Sequence, residues 1–256
     1  MTKTYKHSGA FGDLIFSLPI VKHFGGGEFY LHLNQMDWIG KHYYGSAPAP
    51  FHQGRLRQQD FDSMKSFMLE QPYITKFDIL DNNTAISYNL DRFRPLFVGH
   101  PGNYITTYCL AFGIKDPAQQ LAISNDPWLT VNNPKIVEGR PIVINRSERW
   151  IPETPGEQWE IWKNQGLESQ SVFVGLPEEH RAFCQTMNWN IPHQPTQNML
   201  EVAEYIAGAE KFIGNQSMAI TIAIGLGKEY YCEVRRDLPM ERNECYFPGQ
   251  TNANYF

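Results

Sequence analysis

The sequence lacks the features that define several large classes of protein. Its 256 residues include only four cysteines, and no two of them form a C-x-x-C pair, so neither a zinc knuckle nor a thioredoxin-like redox motif is present. No apolar run approaches the roughly 20 residues that a transmembrane helix needs, and the first residues have no apolar signal-peptide core. We therefore expect a cytoplasmic protein with free thiols and no membrane span.

Charge is also scarce. Charged residues make up 19% of the chain, the formal net charge is -5, and no basic stretch is longer than two residues. Nonspecific binding to nucleic acid through a basic surface is therefore not expected. Hydrophobic residues make up 42%, which is typical of a globular protein with one large domain or two small ones.

The second half of the chain alternates between short apolar strands and amphipathic helices. Strands are predicted at 140–145, 170–175, 210–215 and 228–234, and helices at 155–166, 177–187, 198–209 and 217–227. Strand and helix alternating at this short spacing predict a parallel, doubly wound α/β sheet.

The first half shows a similar but weaker pattern. Strands are predicted at 28–33 and 74–81, and helices at 14–24 and 103–114. The stretch 116–135 is rich in loop residues and contains three prolines, which is typical of an interdomain linker. We therefore expect two domains, 1–135 and 136–256.

Polar residues follow three of the predicted strands in the second half, where ligands of open α/β sheets bind. The turn into the helix at 217–227 presents backbone N–H groups that can bind an anion. Two arginines, a helix N-terminus and a carboxylate suit a nucleotide diphosphate, with the cations on the phosphates and Glu233 accepting from ribose hydroxyls. The candidate donor-binding residues are Arg146, Arg149, Asn215, Gln216, Ser217, Met218 and Glu233.

Each of these residues also has a plainer interpretation. Arg146 and Arg149 can pair with neighbouring glutamates on the surface. Ser217 can simply be the N-cap of its helix, and Glu233 can be an exposed strand end. The order of the residues along the chain, rather than any one of them, favours a binding site.

A glycine-punctuated loop near the start of the chain, SGAFG at 8–12, leads into Asp13 and an apolar helix. Its glycines lack the G-x-G-x-x-G spacing of a dinucleotide-binding loop, so an NAD-dependent oxidoreductase is a poor candidate. A carboxylate at the mouth of the loop is also unsuited to cradling a phosphate. From the residues alone, Asp13 is interpreted as the N-cap of the helix.

Two stretches, in this order, resemble the heptosyltransferase-like glycosyltransferases of family 9. GDLIFSLPIVKHF resembles the family's opening G-D-x-(apolar)-x-x-L-P. LEVAEYIAGAEKFIGNQSMAITIAIGLGK, at 200–228, resembles its C-terminal signature, in which an apolar helix leads to a strand, a G-N-x-S turn and a helix ending in L-G-K. Residues 34–135 match poorly.

The resemblance implies a GT-B fold, with two Rossmann-like domains facing each other across a cleft. The N-terminal domain would take the acceptor and the C-terminal domain the nucleotide-sugar donor. Asp13 would be the catalytic base that deprotonates the acceptor hydroxyl. Ser8, Gly9 and Gly12 would form the acceptor-side loop.

The activity implied is an inverting transfer of a hexosyl, heptosyl or pentosyl group from a nucleotide-diphosphate sugar, without a metal ion or other cofactor. Arg146, Arg149 and the helix that starts at Ser217 would stabilise the departing diphosphate. Relatives often carry Asp and Gly where this chain has Gln216 and Met218, so a heptose donor is not assumed.

The sequence leaves alternatives open for both the acceptor and the reaction. The acceptor can be a glycan such as a lipopolysaccharide core sugar. Because short members of the family resemble reading frames of phage genomes, it can also be a modified DNA base. Trp38, Tyr43 and Tyr44 are candidates for stacking on a sugar, although aromatic residues in such a stretch more often pack in the core or a loop. A sugar-nucleotide epimerase or hydrolase, or a nonenzymatic nucleotide-binding module, are the alternative functions, and the oligomeric state stays open.

Overall fold

The computed structural model describes residues 2–34, 56–97, 102–148, 151–152 and 154–256. The chain divides into two compact units, Met1–Thr130 and Val131–Phe256, whereas the sequence suggested a division after residue 135. Each unit is built on its own parallel sheet.

The N-terminal unit contains a four-stranded sheet in the order β3-β2-β1-β4. Its strands are β1 (Thr4–His7), β2 (Gly27–Leu31), β3 (Ile74–Ile79) and β4 (Tyr88–Asn89). Its helices are α1 (Phe11–His23), α2 (Gln58–Leu69), α3 (Arg94–Phe97), α4 (Tyr104–Ala111) and α5 (Pro117–Asn125), and a 3-10 turn, Leu90–Phe93, joins β4 to α3. Among the described residues, every pairing between these strands is parallel.

The helix α1 is buried from Leu14 to Val21, which explains its nearly continuous apolar sequence. It ends at a run of glycines, where Gly25 and Gly26 have φ of 86° and 73°, the left-handed region that glycine adopts without strain. A Cβ on Gly26 would also lie 2.8 Å from the Cβ of Tyr73. These glycines therefore allow the chain to leave α1 and enter β2 beside the start of β3.

The stretch 116–135, which the sequence predicts to be a loop-rich interdomain linker, contains the helix α5. Asp116 caps this helix by accepting a hydrogen bond from the N–H of Ala118 at 3.2 Å, and Pro117 occupies the first turn. No residue of α5 is fully buried. A helix without a buried face has no strong apolar periodicity, which is why the pattern did not reveal it.

The C-terminal unit contains a six-stranded sheet in the order β10-β9-β8-β5-β6-β7. Its strands are β5 (Ile142–Asn145), β6 (Ser171–Val174), β7 (His193–Gln194), β8 (Lys211–Asn215), β9 (Tyr230–Glu233) and β10 (Ala253–Tyr255). Its helices are α6 (Gln158–Asn164), α7 (Pro177–Met187), α8 (Met199–Gly208) and α9 (Met218–Gly225), with 3-10 turns at Leu167–Gln170 and Met240–Arg242. The strands and helices predicted for this half are all confirmed, and the short edge strands β7 and β10 were not predicted.

Each sheet has one place where the order of its strands reverses direction. In the first sheet β2 and β3 lie on one side of β1, and β4 returns to the other side. In the second sheet β6 and β7 lie on one side of β5, and β8, β9 and β10 lie on the other. Open parallel sheets bind ligands outside the carboxyl ends of the strands at such reversals. The ends of β1 and β4, and of β5 and β8, are therefore the two places to search for a site.

Candidate functional site

The first site lies where β1 ends and α1 begins. Asp13 is in the first turn of α1, while Ala10 occupies the N-cap position. The interpretation of Asp13 as the N-cap is therefore wrong. Its carboxylate instead accepts a hydrogen bond at Oδ2 from Nη1 of Arg94, 3.1 Å away.

Arg94 joins Asp13 to a second carboxylate. Its Nε donates to Oδ1 of Asp91 at 3.2 Å. The side chains of Arg94 and Asp91 are 5% and 0% exposed, whereas that of Asp13 is 15% exposed. Burial by itself lowers the pKa of Arg94, but the two carboxylates outweigh it and the pKa is raised. The guanidinium is therefore a fixed positive charge beneath Asp13.

The two oxygens of Asp13 have different surroundings. Oδ2 is held by Arg94. No hydrogen bond from the described part of the chain reaches Oδ1. One oxygen is thus fixed by the protein, and the other is available to a proton donor on a ligand.

A second chain of hydrogen bonds fixes the backbone of the same loop. The N–H of Gly9 donates to Nδ1 of His7 at 3.0 Å, so the proton of the neutral imidazole lies on Nε2. Nε2 then donates to the hydroxyl of Tyr108 at 2.8 Å, and that hydroxyl donates to the backbone carbonyl of Asp13 at 2.8 Å. Burial lowers the pKa of His7 to about 4, so the imidazole is neutral at pH 7.

The glycine loop is shaped by how closely Arg94 approaches it. A Cβ on Gly9 would clash with Nη2 of Arg94 and would lie 2.9 Å from Cε1 of His7. The N–H of Ser8 donates to Oδ1 of Asp91 at 3.2 Å. The loop is therefore a lining for the buried charges, not a cradle for a phosphate. Gly12 lies in the first turn of α1.

The second site lies at the ends of β5 and β8, where two loops exchange hydrogen bonds. The hydroxyl of Ser217 donates to Oδ1 of Asn145 at 3.0 Å. Asn215 accepts from the N–H of Ser147 and donates to its carbonyl, both at 3.0 Å. Each loop has the pattern Asn-x-Ser, and each asparagine bonds the serine of the other loop. This exchange fixes the distance between the two loops.

Because Ser217 bonds Asn145, it does not cap α9. Ser217 occupies the N-cap position but makes no side-chain capping hydrogen bond. The first N–H groups of α9, beginning at Met218, therefore have no side-chain cap and can bind an anion.

Arg146 and Glu233 form a buried ion pair in the second site. Nε of Arg146 lies 2.5 Å from Oε2 of Glu233, and its Nη2 lies 3.3 Å from Oε1. The indole N–H of Trp159 also donates to Oε1, at 3.0 Å. Glu233 is 0% exposed, so it is not an exposed strand end. Because it is fully buried, its carboxylate has no exposed surface from which to reach a ribose hydroxyl, and its contacts are with Arg146 and Trp159.

Gln216 is also occupied by the protein. Its Nε2 donates to Oδ1 of Asn243 at 2.8 Å, and its Oε1 accepts from the N–H of Cys245 at 3.1 Å. Asn243 in turn bonds the N–H of Arg235 at 3.0 Å. Gln216 therefore attaches the segment after β9 to the turn before α9.

Four of the predicted residues, Arg149, Trp38, Tyr43 and Tyr44, lie outside the described residues.

Several important residues were missed in the sequence, although signals for some of them are present. The repeated Asn-x-Ser pattern at two strand ends is visible in the sequence, as is the Asp-x-x-Arg pattern after β4. The missed residues are Asp91, Arg94, Tyr108, Asn145 and Ser147.

The chain contains one Asp-x-Asp triplet, Asp60-Phe61-Asp62, a pattern of paired carboxylates that can hold a metal ion. It lies in the first turns of α2 rather than at either strand-order reversal. Asp60 accepts a hydrogen bond from the N–H of Arg57 at 2.7 Å, and Asp62 accepts one from Gln58 at 3.0 Å. The triplet serves the start of its helix.

Solved structures of glycosyltransferases match this chain over 100% of its length. The glycosyl transferase family 9 protein from Veillonella parvula DSM 2008 is 11% identical, with a TM-score of 0.61 over 86% of that chain. Heptosyltransferase WaaC of E. coli with ADP is 10% identical, with a TM-score of 0.58 over 92% of that chain. E. coli ADP-heptose lps heptosyltransferase II is 12% identical, with a TM-score of 0.58 over 90% of that chain. The chain has the fold of the family 9 glycosyltransferases.

The resemblance seen in the two end motifs is thus confirmed at the level of the fold, and the predicted GT-B-like α/β class is confirmed with it. No protein-family model matches the chain, and no curated protein does. Among the described residues, no helix is both long and apolar enough to cross a membrane.

Proposed function

We propose that this protein is an inverting glycosyltransferase that moves a sugar from a nucleotide-diphosphate donor to an acceptor hydroxyl without a metal ion. The observation that carries the proposal is the geometry of Asp13, whose Oδ2 is held by Arg94 while Oδ1 is open, at the reversal of the first sheet. A base with one tethered and one open oxygen suits the abstraction of a hydroxyl proton. The shared fold with heptosyltransferases supports the same activity.

In this reaction the acceptor oxygen attacks the anomeric carbon while the bond from that carbon to the diphosphate breaks. The acceptor proton passes to Oδ1 of Asp13. The diphosphate leaves with its electron pair, and the N–H groups at the start of α9 stabilise its charge together with Arg146. Among the described residues, nothing accepts a hydrogen bond from Nη1 of Arg146, so that atom is available to a phosphate oxygen. Arg149 is proposed as a second phosphate ligand.

The donor to test first is an ADP-sugar. One of the matching structures contains ADP, and another is that of an ADP-heptose heptosyltransferase. The sugar itself is not assigned to heptose, because Gln216 and Met218 replace the residues that relatives carry at the turn before α9. The proposed acceptor is a hydroxyl of a glycan, of a lipopolysaccharide sugar or of a modified nucleobase.

The proposal is tested with Asp13→Asn. The amide keeps an oxygen for Arg94 but cannot accept the hydroxyl proton, so transfer is expected to fall by about 10²- to 10⁴-fold while donor binding is unchanged. Donor binding is measured by thermal shift with ADP-, UDP-, GDP- and CMP-sugars, with and without EDTA. Transfer is measured as nucleotide release with each class of acceptor.

The matched control is Asp62→Asn, which removes an exposed carboxylate of the Asp-x-Asp triplet. It is expected to transfer sugar at the unaltered rate. Full activity of Asp13→Asn would show that Asp13 is not the base. Loss of activity with EDTA would show that the reaction needs a metal ion. Release of free or isomerised sugar without acceptor would instead indicate a hydrolase or an epimerase, and binding without any product would indicate a nucleotide-binding module.

A further inference from the structure

We infer that Arg94 and Asp91 are positioning residues that aim the open oxygen of Asp13, so that the base acts as one member of a buried carboxylate–guanidinium–carboxylate series. This inference rests on the proposed function, because it assigns a task within the same site. Neither residue is expected to touch the reacting atoms.

The contacts connect Asp13 to a rigid part of the fold in two steps. Nη1 of Arg94 binds Oδ2 of Asp13 at 3.1 Å, and Nε of the same guanidinium binds Oδ1 of Asp91 at 3.2 Å. A guanidinium is planar and presents its donors in a fixed geometry. The position of Asp91 therefore determines both the position of the guanidinium and the direction of the hydrogen bond to Asp13.

Asp91 is itself held from three sides. Its Oδ1 accepts from the N–H of Ser8 at 3.2 Å, in the loop that carries Asp13. Its Oδ2 lies 3.8 Å from Nζ of Lys6 on β1. The N–H of Asp91 donates to the side chain of Asn89, at the end of β4, at 3.1 Å. Asp91 thus joins the loop after β1 to the turn after β4.

The two strands fix the spacing of these groups. β1 and β4 are paired with Tyr5 opposite Tyr88 and Lys6 opposite Asn89. The carboxylate and its supporting arginine therefore come from adjacent strand ends, the kind of rigid elements that hold a catalytic geometry closely. The series contains two carboxylates, and the positive charges of Arg94 and Lys6 balance them. Repulsion between the carboxylates of Asp13 and Asp91 is therefore compensated.

The test compares Arg94→Gln and Arg94→Lys with Arg92→Gln. Arg92 supplies a matched control, because it is an exposed arginine on the same turn, with its guanidinium over the ring of Phe112. For Arg94→Gln we expect kcat to fall about 10- to 100-fold, as for a small misplacement of a catalytic group. KM for the nucleotide-sugar donor is expected to stay unchanged. Arg94→Lys keeps the positive charge but not the planar guanidinium, so it is expected to recover part of the lost kcat. Arg92→Gln is expected to match the unaltered protein.

A second measurement does not depend on activity. Amide hydrogen exchange over residues 8–14 is expected to be faster in Arg94→Gln and unchanged in Arg92→Gln, because Asp13 loses its hydrogen bond to Arg94 and the bond from Ser8 to Asp91 is left to hold the loop. Normal exchange and normal kcat in Arg94→Gln would overturn the inference. A loss of kcat and a rise of donor KM that both follow a lowered Tm would also overturn it, since a purely structural role predicts that result.

The failure of the proposed function is distinguishable from the failure of this inference. An unaltered protein with no transfer from any nucleotide sugar contradicts the function, and with it the positioning of a base. Transfer by the unaltered protein with no effect at Arg94 contradicts the inference alone.

Discussion

Gly9 is a position where a side chain cannot fit without moving the candidate base. A Cβ there would clash with Nη2 of Arg94 and approach Cε1 of His7 to 2.9 Å. We expect Gly9→Ala to lower the free energy of unfolding by about 1–3 kcal/mol. We also expect it to reduce transfer, because Arg94 must shift. Urea denaturation and the transfer rate measure the two effects.

Gly156→Ala is the control for that substitution. A Cβ on Gly156 would lie 3.4 Å from Cδ2 of Phe256, an ordinary van der Waals distance. This variant is expected to be as stable and as active as the unaltered protein. If Gly9→Ala behaves in the same way, the close approach of Arg94 to the loop does not limit what residue 9 can be.

His7 connects the stability of the protein to pH. Burial lowers its pKa from an ordinary 6.5 to about 4. Below pH 6.5 the unfolded chain therefore binds a proton that the folded chain refuses, so stability present above pH 6.5 is lost as the pH falls towards 4. At 1.36 kcal/mol per pKa unit, the loss is about 3 kcal/mol.

The measurement is the free energy of unfolding from urea titrations between pH 7 and pH 4. The free energy of unfolding is also measured for His7→Gln, whose carboxylates titrate as in the unaltered protein. The difference in pH dependence between the two proteins is therefore the contribution of His7. His23→Gln, which replaces an exposed histidine, is expected to keep the full pH dependence. Equal pH dependence in all three proteins would show that His7 is not held neutral.

Among the secondary-structure elements, α9 combines a buried body with an N-terminus that has no side-chain cap. A negative charge in its first turn stabilises a helix but repels a bound diphosphate. We therefore expect Met218→Glu to leave the free energy of unfolding unchanged or slightly raised, while it weakens nucleotide-diphosphate binding. Calorimetric titration with ADP and a urea titration separate the two effects.

Met218→Gln is the neutral control of nearly the same shape. It is expected to bind ADP more tightly than Met218→Glu. Equal ADP binding by the two variants would place the diphosphate away from α9 and would leave its N-terminus as a structural junction.

Most elements with a buried apolar face could be predicted from the sequence, although α2, which buries Phe61, Met64, Phe67 and Met68, was missed. β5, β6, β8 and β9 are short apolar runs bounded by turn residues, and all were predicted. β7 has two residues, and α5 buries none of its residues, so neither has a periodic pattern. The position of an edge strand depends on a neighbouring strand that lies far away in the sequence.

At the scale of the whole molecule, the chain forms two compact units with separate sheets. The proposed diphosphate ligands all come from the second unit. We therefore expect residues 131–256, produced alone, to bind the nucleotide diphosphate with a Kd within about tenfold of the whole protein.

Residues 1–130, produced alone, are the control for this prediction and are expected not to bind it. Calorimetric titration of each unit with ADP makes the comparison, and circular dichroism establishes that each unit is folded. A folded second unit that does not bind while the whole protein does would show that the first unit supplies necessary ligands.

The sequence by itself determined the α/β class, most elements of the second half and the position of Asp13 between a glycine loop and an apolar helix. These features follow from local patterns, namely apolar periodicity, turn residues and the succession of strand and helix. Only the tertiary structure decided what surrounds each charged group. Asp13 meets Arg94, and Arg146 meets Glu233, because parallel pairing brings the ends of β1 and β4, and of β5, β8 and β9, to one edge of their sheets. Partners separated by 81 or 87 residues have no local pattern that joins them, so their contacts depend on strand order alone.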